Sequence, residues 1–161
     1  KSKQFFRSDH QTEEEMPMSE HVTTVETITL SGAKLAADVA IATAEETGIA
    51  ICVAIVNATG GVILVERMDG VVDIAYENAI AKAIASQTFK RDTGALSDYF
   101  QQDKSLGPPM TARHHILAVE GGEPLRTSDG TIVGALGISG AKHAEDVVAS
   151  AAAAAAFTAA T

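Results

Sequence analysis

Lys82 stands deep in an Ala-rich apolar stretch, residues 71–90, VVDIAYENAIAKAIASQTFK. An ammonium group in such a place has two uses: it reaches an oxyanion of a bound ligand, or it threads its head back to water. Arg67 follows the apolar run Val62-Ile63-Leu64-Val65, and the charged residues from Glu66 to Asp69 fall where that run ends. Side chains just past the end of a buried strand sit at the rim of a sheet, where Arg67 and Asp69 come within reach of a ligand. A guanidinium there clamps a carboxylate through two parallel hydrogen bonds. An ion pair of Arg67 with Glu66 or Asp69 is the competing use. Further along, His114 and His115 are adjacent. Imidazole titrates near neutral pH, so each is a candidate general base or metal ligand. In an extended segment the two would face opposite sides, one toward a pocket and one toward solvent. Arg113 beside them is a second candidate carboxylate clamp, and Glu120 can orient a histidine or act as the base itself. The backbone amides near Gly121-Gly122 and Ser139-Gly140, together with Lys82, are placed to stabilise developing negative charge. This set suits an enzyme acting on a small carboxylate-bearing metabolite by proton abstraction, tautomerisation or hydrolytic deamination. Hydride transfer is disfavoured, because the chain carries no dinucleotide-binding fingerprint.

The elements that position these groups are read from periodicity. Residues 131–146, TIVGALGISGAKHAED, form a strand, a small-residue turn and the start of a helix. That combination can hold an anion, although Gly134, Gly137 and Gly140 are explained more simply by tight packing. Asp146 falls early in the helix and offsets its positive end. A first helix starts near Ser31, which is read as its cap, buries a stripe of Ala33, Ala36, Ala37, Ala40 and Ala44, and stops at Gly48. Residues 49–56 are apolar throughout and read as a central strand; a turn over 57–61 joins it to Val62–Val65 as a hairpin. Residues 71–90 form a second helix, with Ala75, Ala79 and Ala83 along one face. Residues 95–102 form a short third helix carrying Leu96, Tyr99 and Phe100 inward. Gly107-Pro108-Pro109 is read as the rigid start of a covering loop over 107–115. Residues 116–119, ILAV, are read as a short strand, and the last helix runs from about Lys142 to Ala160.

Length and composition bound the answer. The chain has 161 residues and is 46% hydrophobic, which suits one globular α/β domain. Residues 27–161 are assigned to that domain and residues 1–26 to a flexible or extended arm. His10, His21 and Glu13 to Glu15 in the arm read as a solvated tail rather than a metal site. Net charge is −9 with only 12 Lys and Arg, which argues against nucleic acid as a partner. Cys52 is the single cysteine, so an intrachain disulfide is impossible, and its apolar setting reads as a buried small hydrophobe. No segment has the length and apolarity of a membrane span. A cytoplasmic location is expected, with a processed secreted form as the alternative.

Three groups of residues carry a family resemblance. The first is Gly60-Gly61 with the strand ending in Arg67-Met68-Asp69-Gly70; the second is Ala79, Lys82, Ala83, Ser86, Phe89 and Thr93. The third is Gly121-Gly122-x-Pro124-Leu125, then Gly130, Gly134-Ala135, Gly137-x-Ser139-Gly140 and Asp146. In order and spacing the chain, over roughly residues 27–160, resembles the GlcG/HbpS family of haem-degrading or haem-binding domains, also found as the C-terminal domain of PduO proteins. The resemblance implies a central antiparallel sheet of four or five strands flanked by helices, in a profilin- or roadblock-like arrangement. It implies a homo-oligomer, from dimer to octamer, and haem or another tetrapyrrole as ligand. His114, His115 and Met110 are then the candidate iron ligands, and Arg67, Lys82 and Arg113 the candidate partners of the propionates. The segment Met110–His115 departs from the family pattern by its basic residues, which keeps the small-carboxylate enzyme open beside haem binding. A non-catalytic oligomeric scaffold is the third reading.

Overall fold

The computed structural model describes residues 21–161. The arm expected over residues 1–26 therefore lies mostly outside the described residues. Helix α1 (Leu30–Thr47) leads into strand β1 (Cys52–Asn57) and its hairpin partner β2 (Val62–Arg67). Helices α2 (Ile74–Phe89), α3 (Thr93–Gln102) and α4 (Gly107–His114) follow, then β3 (Gly122–Arg126), β4 (Ile132–Ser139) and α5 (His143–Ala159). The four strands make one open sheet in the order β2-β1-β4-β3, with every neighbouring pair antiparallel. This is the antiparallel sheet flanked by helices that the sequence predicts. Among the described residues no helix is long and apolar enough to cross a membrane.

Alternation along the strands sends side chains to two different layers. On one face Val53, Ile55, Leu136 and Ile138 pack against the alanines of α1 and against Ala149, Ala153 and Phe157 of α5. On the other, Cys52 and Ala54 meet Val71, Ala75 and Ala79, while Val56 and Ala135 meet Ala83. The second interface is built from small residues, and it brings α2 very close to the sheet. A Cβ on Gly137 would collide with the Ala79 carbonyl oxygen and the Ala83 amide nitrogen of α2. That close approach presses Lys82, one turn along α2 from Ala79, against the end of β4.

Several local expectations are corrected. Thr29, not Ser31, caps α1, its Oγ1 accepting from the Gly32 amide at 3.1 Å. Residues 107–115 are a helix rather than a covering loop. Proline lacks an N–H, but the first turn of a helix leaves its amides without partners anyway, so Pro108 and Pro109 sit at no loss in the first turn of α4. Consequently His114 and His115 end a helix instead of alternating along an extended segment; His115 is its left-handed cap, with φ 49°. Residues 116–119 run between α4 and β3 without pairing to any strand. Tyr99 is 41% exposed, whereas Leu96 and Phe100 are buried as expected. Gly48 ends α1 with φ 71°, as its position suggests.

Candidate functional site

Lys82 and Asp146 meet at the centre of the molecule. Lys82 Nζ donates to Asp146 Oδ2 at 2.9 Å and to the Ile138 carbonyl oxygen at 2.7 Å. Both side chains are 2% exposed, so the ammonium does not thread back to water. Asp146 Oδ1 accepts from the Ala141 amide at 3.2 Å, and the carboxylate thus ties the turn after β4 to α5 as well as to α2. Desolvating two charges is costly, and it is offset here by mutual attraction and by these further hydrogen bonds. The packing behind the pair is tight at Gly121: a Cβ there would stand 2.9 Å from the Ile138 carbonyl oxygen and 3.1 Å from both Lys82 Nζ and Asp146 Cβ. Gly121 also has φ 107°, which L side chains rarely adopt.

A cleft of about 380 Å³ opens over this pair. Lys82 and Asp146 form its floor; Asn78, Ser139, Gly140 and His143 supply its polar lining, and Val72, Ile74, Leu117 and Val119 its apolar wall. The structure thus brings together Lys82, Ser139 and Gly140, three of the residues singled out by sequence. Gly121 packs behind the pair, while the Gly122 amide is occupied, donating to Thr93 Oγ1 at 2.8 Å. Glu120 lines a neighbouring cleft of about 260 Å³ that His143 also borders. The histidine near Glu120 is therefore His143, which sequence reasoning did not select. The available signal was its place at the start of a helix, just after the Ser139-Gly140 turn.

His115 belongs to a different cleft, of about 560 Å³, between α2 and the segment after α4. Its wall is Ile80, Ala81, Ile84, Ile116 and Leu117, with Glu77 and Asn78 as the other polar residues. Met110 is half-buried and packs against the cluster of Ala85, Leu96, Phe100 and Ile116. The side chains of Arg113 and His114 lie outside the described part of the chain. Arg67 pairs with Asp73 at 2.6 Å, rather than with Glu66 or Asp69, and also donates to the Val71 carbonyl oxygen at 2.8 Å. Cys52 pairs in register with both Arg67 and Ser139, which places Arg67 at the same end of the sheet as the Lys82 cleft, two strands away. Asp69 is exposed in the turn after β2. Burial pushes the Cys52 thiol up from its ordinary range, against a smaller opposing effect of Arg67, so it stays a protonated core residue. Among the described residues no group of three or more His, Cys, Asp or Glu side chains is placed to hold a metal ion.

The family described as "Haem degrading protein HbpS-like" matches residues 28–155, the whole of the sheet and the helices that form both clefts. The chain belongs to this family. Among curated proteins it is 29% identical over 123 residues to the "Uncharacterized 15.0 kDa protein in dhaT-dhaS intergenic region" of Citrobacter freundii, covering 76% of this chain and 86% of that protein. Among solved structures, protein ORFY of Klebsiella pneumoniae superposes with a TM-score of 0.80 at 25% identity, over 89% of this chain and 99% of that one. A double mutant of Streptomyces reticuli HbpS gives 0.76 at 28% identity, over 87% and 93%. PduOC, solved as a haem complex, gives 0.74 at 26% identity, over 81% and 94%. The Lys82 and His115 clefts differ in size and chemistry. The Lys82 cleft is the smaller and has a charged floor. The His115 cleft is larger, mainly aliphatic, and offers one imidazole at its edge.

Proposed function

We propose that this protein binds haem or a related tetrapyrrole in the His115 cleft. The observation that carries the reading is the coincidence of an aliphatic wall and a single imidazole around about 560 Å³. A tetrapyrrole needs an apolar slot that removes its ring from water and a donor for its central metal, and imidazole is the commonest such donor. The residues present fit that need. Ile80, Ala81 and Ile84 lie along α2, and Ile116 and Leu117 face them from the segment after α4. His115 would hold the iron; its left-handed backbone fixes where α4 stops and where the ring is offered. Haem iron, when bound, supplies one-electron chemistry. The chain's own part is to exclude water with the aliphatic wall and to set the orientation through Glu77, Asn78 and His115 at the rim. Two of the candidate propionate partners are already engaged within the chain, Lys82 with Asp146 and Arg67 with Asp73. Family membership and the haem complex of PduOC support the reading.

The test is a hemin titration of the full chain followed in the Soret region. The parent is expected to give a saturable, shifted band, and His115→Ala to lose the shift or to need at least about tenfold more hemin. Titration of His115→Ala indistinguishable from the parent would overturn the assignment of the ligand.

A further inference from the structure

The Lys82 cleft has hydrogen-bond donors to spare, and the one carboxylate in its lining, Asp146, is already engaged. An ammonium carries three N–H donors. Lys82 uses two, on Ile138 and Asp146, which leaves one N–H without a partner on a residue that borders the cleft. Asp146 has both oxygens engaged, Oδ2 by Lys82 and Oδ1 by the Ala141 amide. The side chains of Asn78, Ser139 and His143 border the same space, and none of these side chains is hydrogen-bonded to another described residue. All three side chains can donate. At the start of α5 the His143 and Ala144 amides lack intrahelical partners, while Glu145 and Asp146 in the same turn already answer part of the helix's positive end. A ligand that completes this arrangement brings oxygen acceptors and negative charge.

The opposite wall sets the rest of the ligand. Val72 and Ile74 are 60% and 57% exposed, and with Leu117 and Val119 they form an apolar side to the cleft. A hydrocarbon chain laid there removes apolar surface from water. The space, about 380 Å³, is near the lower end of small-ligand sites and suits a small molecule better than a macrocycle. Asn78 and Leu117 line both this cleft and the His115 cleft and stand between them.

We infer that the Lys82–Ser139–His143 cleft binds a short-chain aliphatic monocarboxylate, as a site separate from the tetrapyrrole cleft. The carboxylate lies toward Lys82, Ser139 and His143, and the alkyl chain toward Val72 and Ile74. The other source of the same chemistry is the propionate edge of a tetrapyrrole reaching across Asn78, and the experiment distinguishes the two. Butyrate is titrated into the full chain, with heat and backbone amide shifts as readouts; butylamine, with the same chain and the opposite charge, is the control. Saturable butyrate binding is expected, with shifts at residues 139–144 and none of comparable size with butylamine. Lys82 is too deeply built into the core to be the test variant, so the rim is changed instead. The double variant Ser139→Ala/His143→Ala is expected to weaken butyrate binding at least about tenfold, the loss of two hydrogen bonds to a charged group. The inference is overturned if butyrate fails to saturate, if butylamine binds as well, or if the double variant binds butyrate like the parent. It is equally overturned if the double variant loses hemin affinity instead, which would give the cleft to a propionate.

Discussion

Two ion pairs among the described residues invite comparison, because distance ranks them in the wrong order. Arg67–Asp73 is the shorter, at 2.6 Å, but its side chains are 42% and 96% exposed. Lys82–Asp146 is longer, at 2.9 Å, with both side chains 2% exposed. Water competes for the first pair at every moment, so forming it gains little over two hydrated ions. The second pair is almost withdrawn from water, and each partner answers the other's charge directly. The difference lies in what remains after one partner is removed. At the sheet edge a solvated ion remains; in the centre an uncompensated charge is sealed beneath α2.

The largest expected effect follows directly. Asp146→Ala or Lys82→Met alone should cost about 3–5 kcal/mol of stability in urea unfolding, since each leaves a buried charge unpaired. Removing both with apolar residues, Lys82→Met/Asp146→Leu, should recover most of that loss. A single variant as stable as the parent would break the comparison at its root.

Glu123 on β3 stands between the extremes. It is half-buried, and burial, reinforced by the charge of Asp92 and opposed by Arg126, pushes its carboxyl up from 4.5 to about 7. The native protein therefore keeps a proton that the unfolded chain gives up. The associated stability is fully present below about pH 4.5 and is lost as pH rises through about 7. Glu123→Gln should flatten this part of the stability profile and leave the variant more stable than the parent at pH 8. An unchanged slope between those limits would show that Glu123 is solvated like a surface acid. The smallest effect belongs to Arg67→Ala, at most about 1 kcal/mol and shrinking further with added salt. A salt-insensitive loss would mean that the hydrogen bond to Val71 matters more than the charge.

These contrasts also separate what could be read from the sequence from what could not. Lys82 was visible because a cation interrupts an alanine stripe, a signal contained within one helix. Its partner was not, because Asp146 lies 64 residues further on and looks locally like an ordinary acid near a helix start. The same limit explains residues 116–119. Their run of apolar residues predicts a strand, but a strand needs a neighbour, and neighbours are chosen by the whole fold. Pro108-Pro109 failed for a different reason: the same pair forbids a helix interior and favours a helix beginning, so only position decides. The hairpin of β1 and β2 was legible because both strands and their turn lie within sixteen residues, Cys52–Arg67. His143 went unnoticed because its meaning depends on Lys82 and Glu120, which come from other elements. The resemblance, carried by ordered glycines, did better than any single residue, since those glycines mark where backbones touch.

The strand order has a consequence in time. β1 is an inner strand flanked by β2, its immediate successor in the chain, and by β4, so that Cys52 pairs with both Arg67 and Ser139. As the polypeptide leaves the ribosome, the first hairpin is completed while the strand that will cover its other side is still untranslated. Through that interval the row Val53 to Val56 offers unpaired backbone groups and apolar side chains to any other nascent chain. Lys82 is likewise exposed to solvent until Asp146 arrives. The two waits end together, because β4 and the first turn of α5 emerge one after the other. The strand that closes the sheet and the acid that neutralises Lys82 therefore both come from one late-synthesised stretch of chain, residues 132–146.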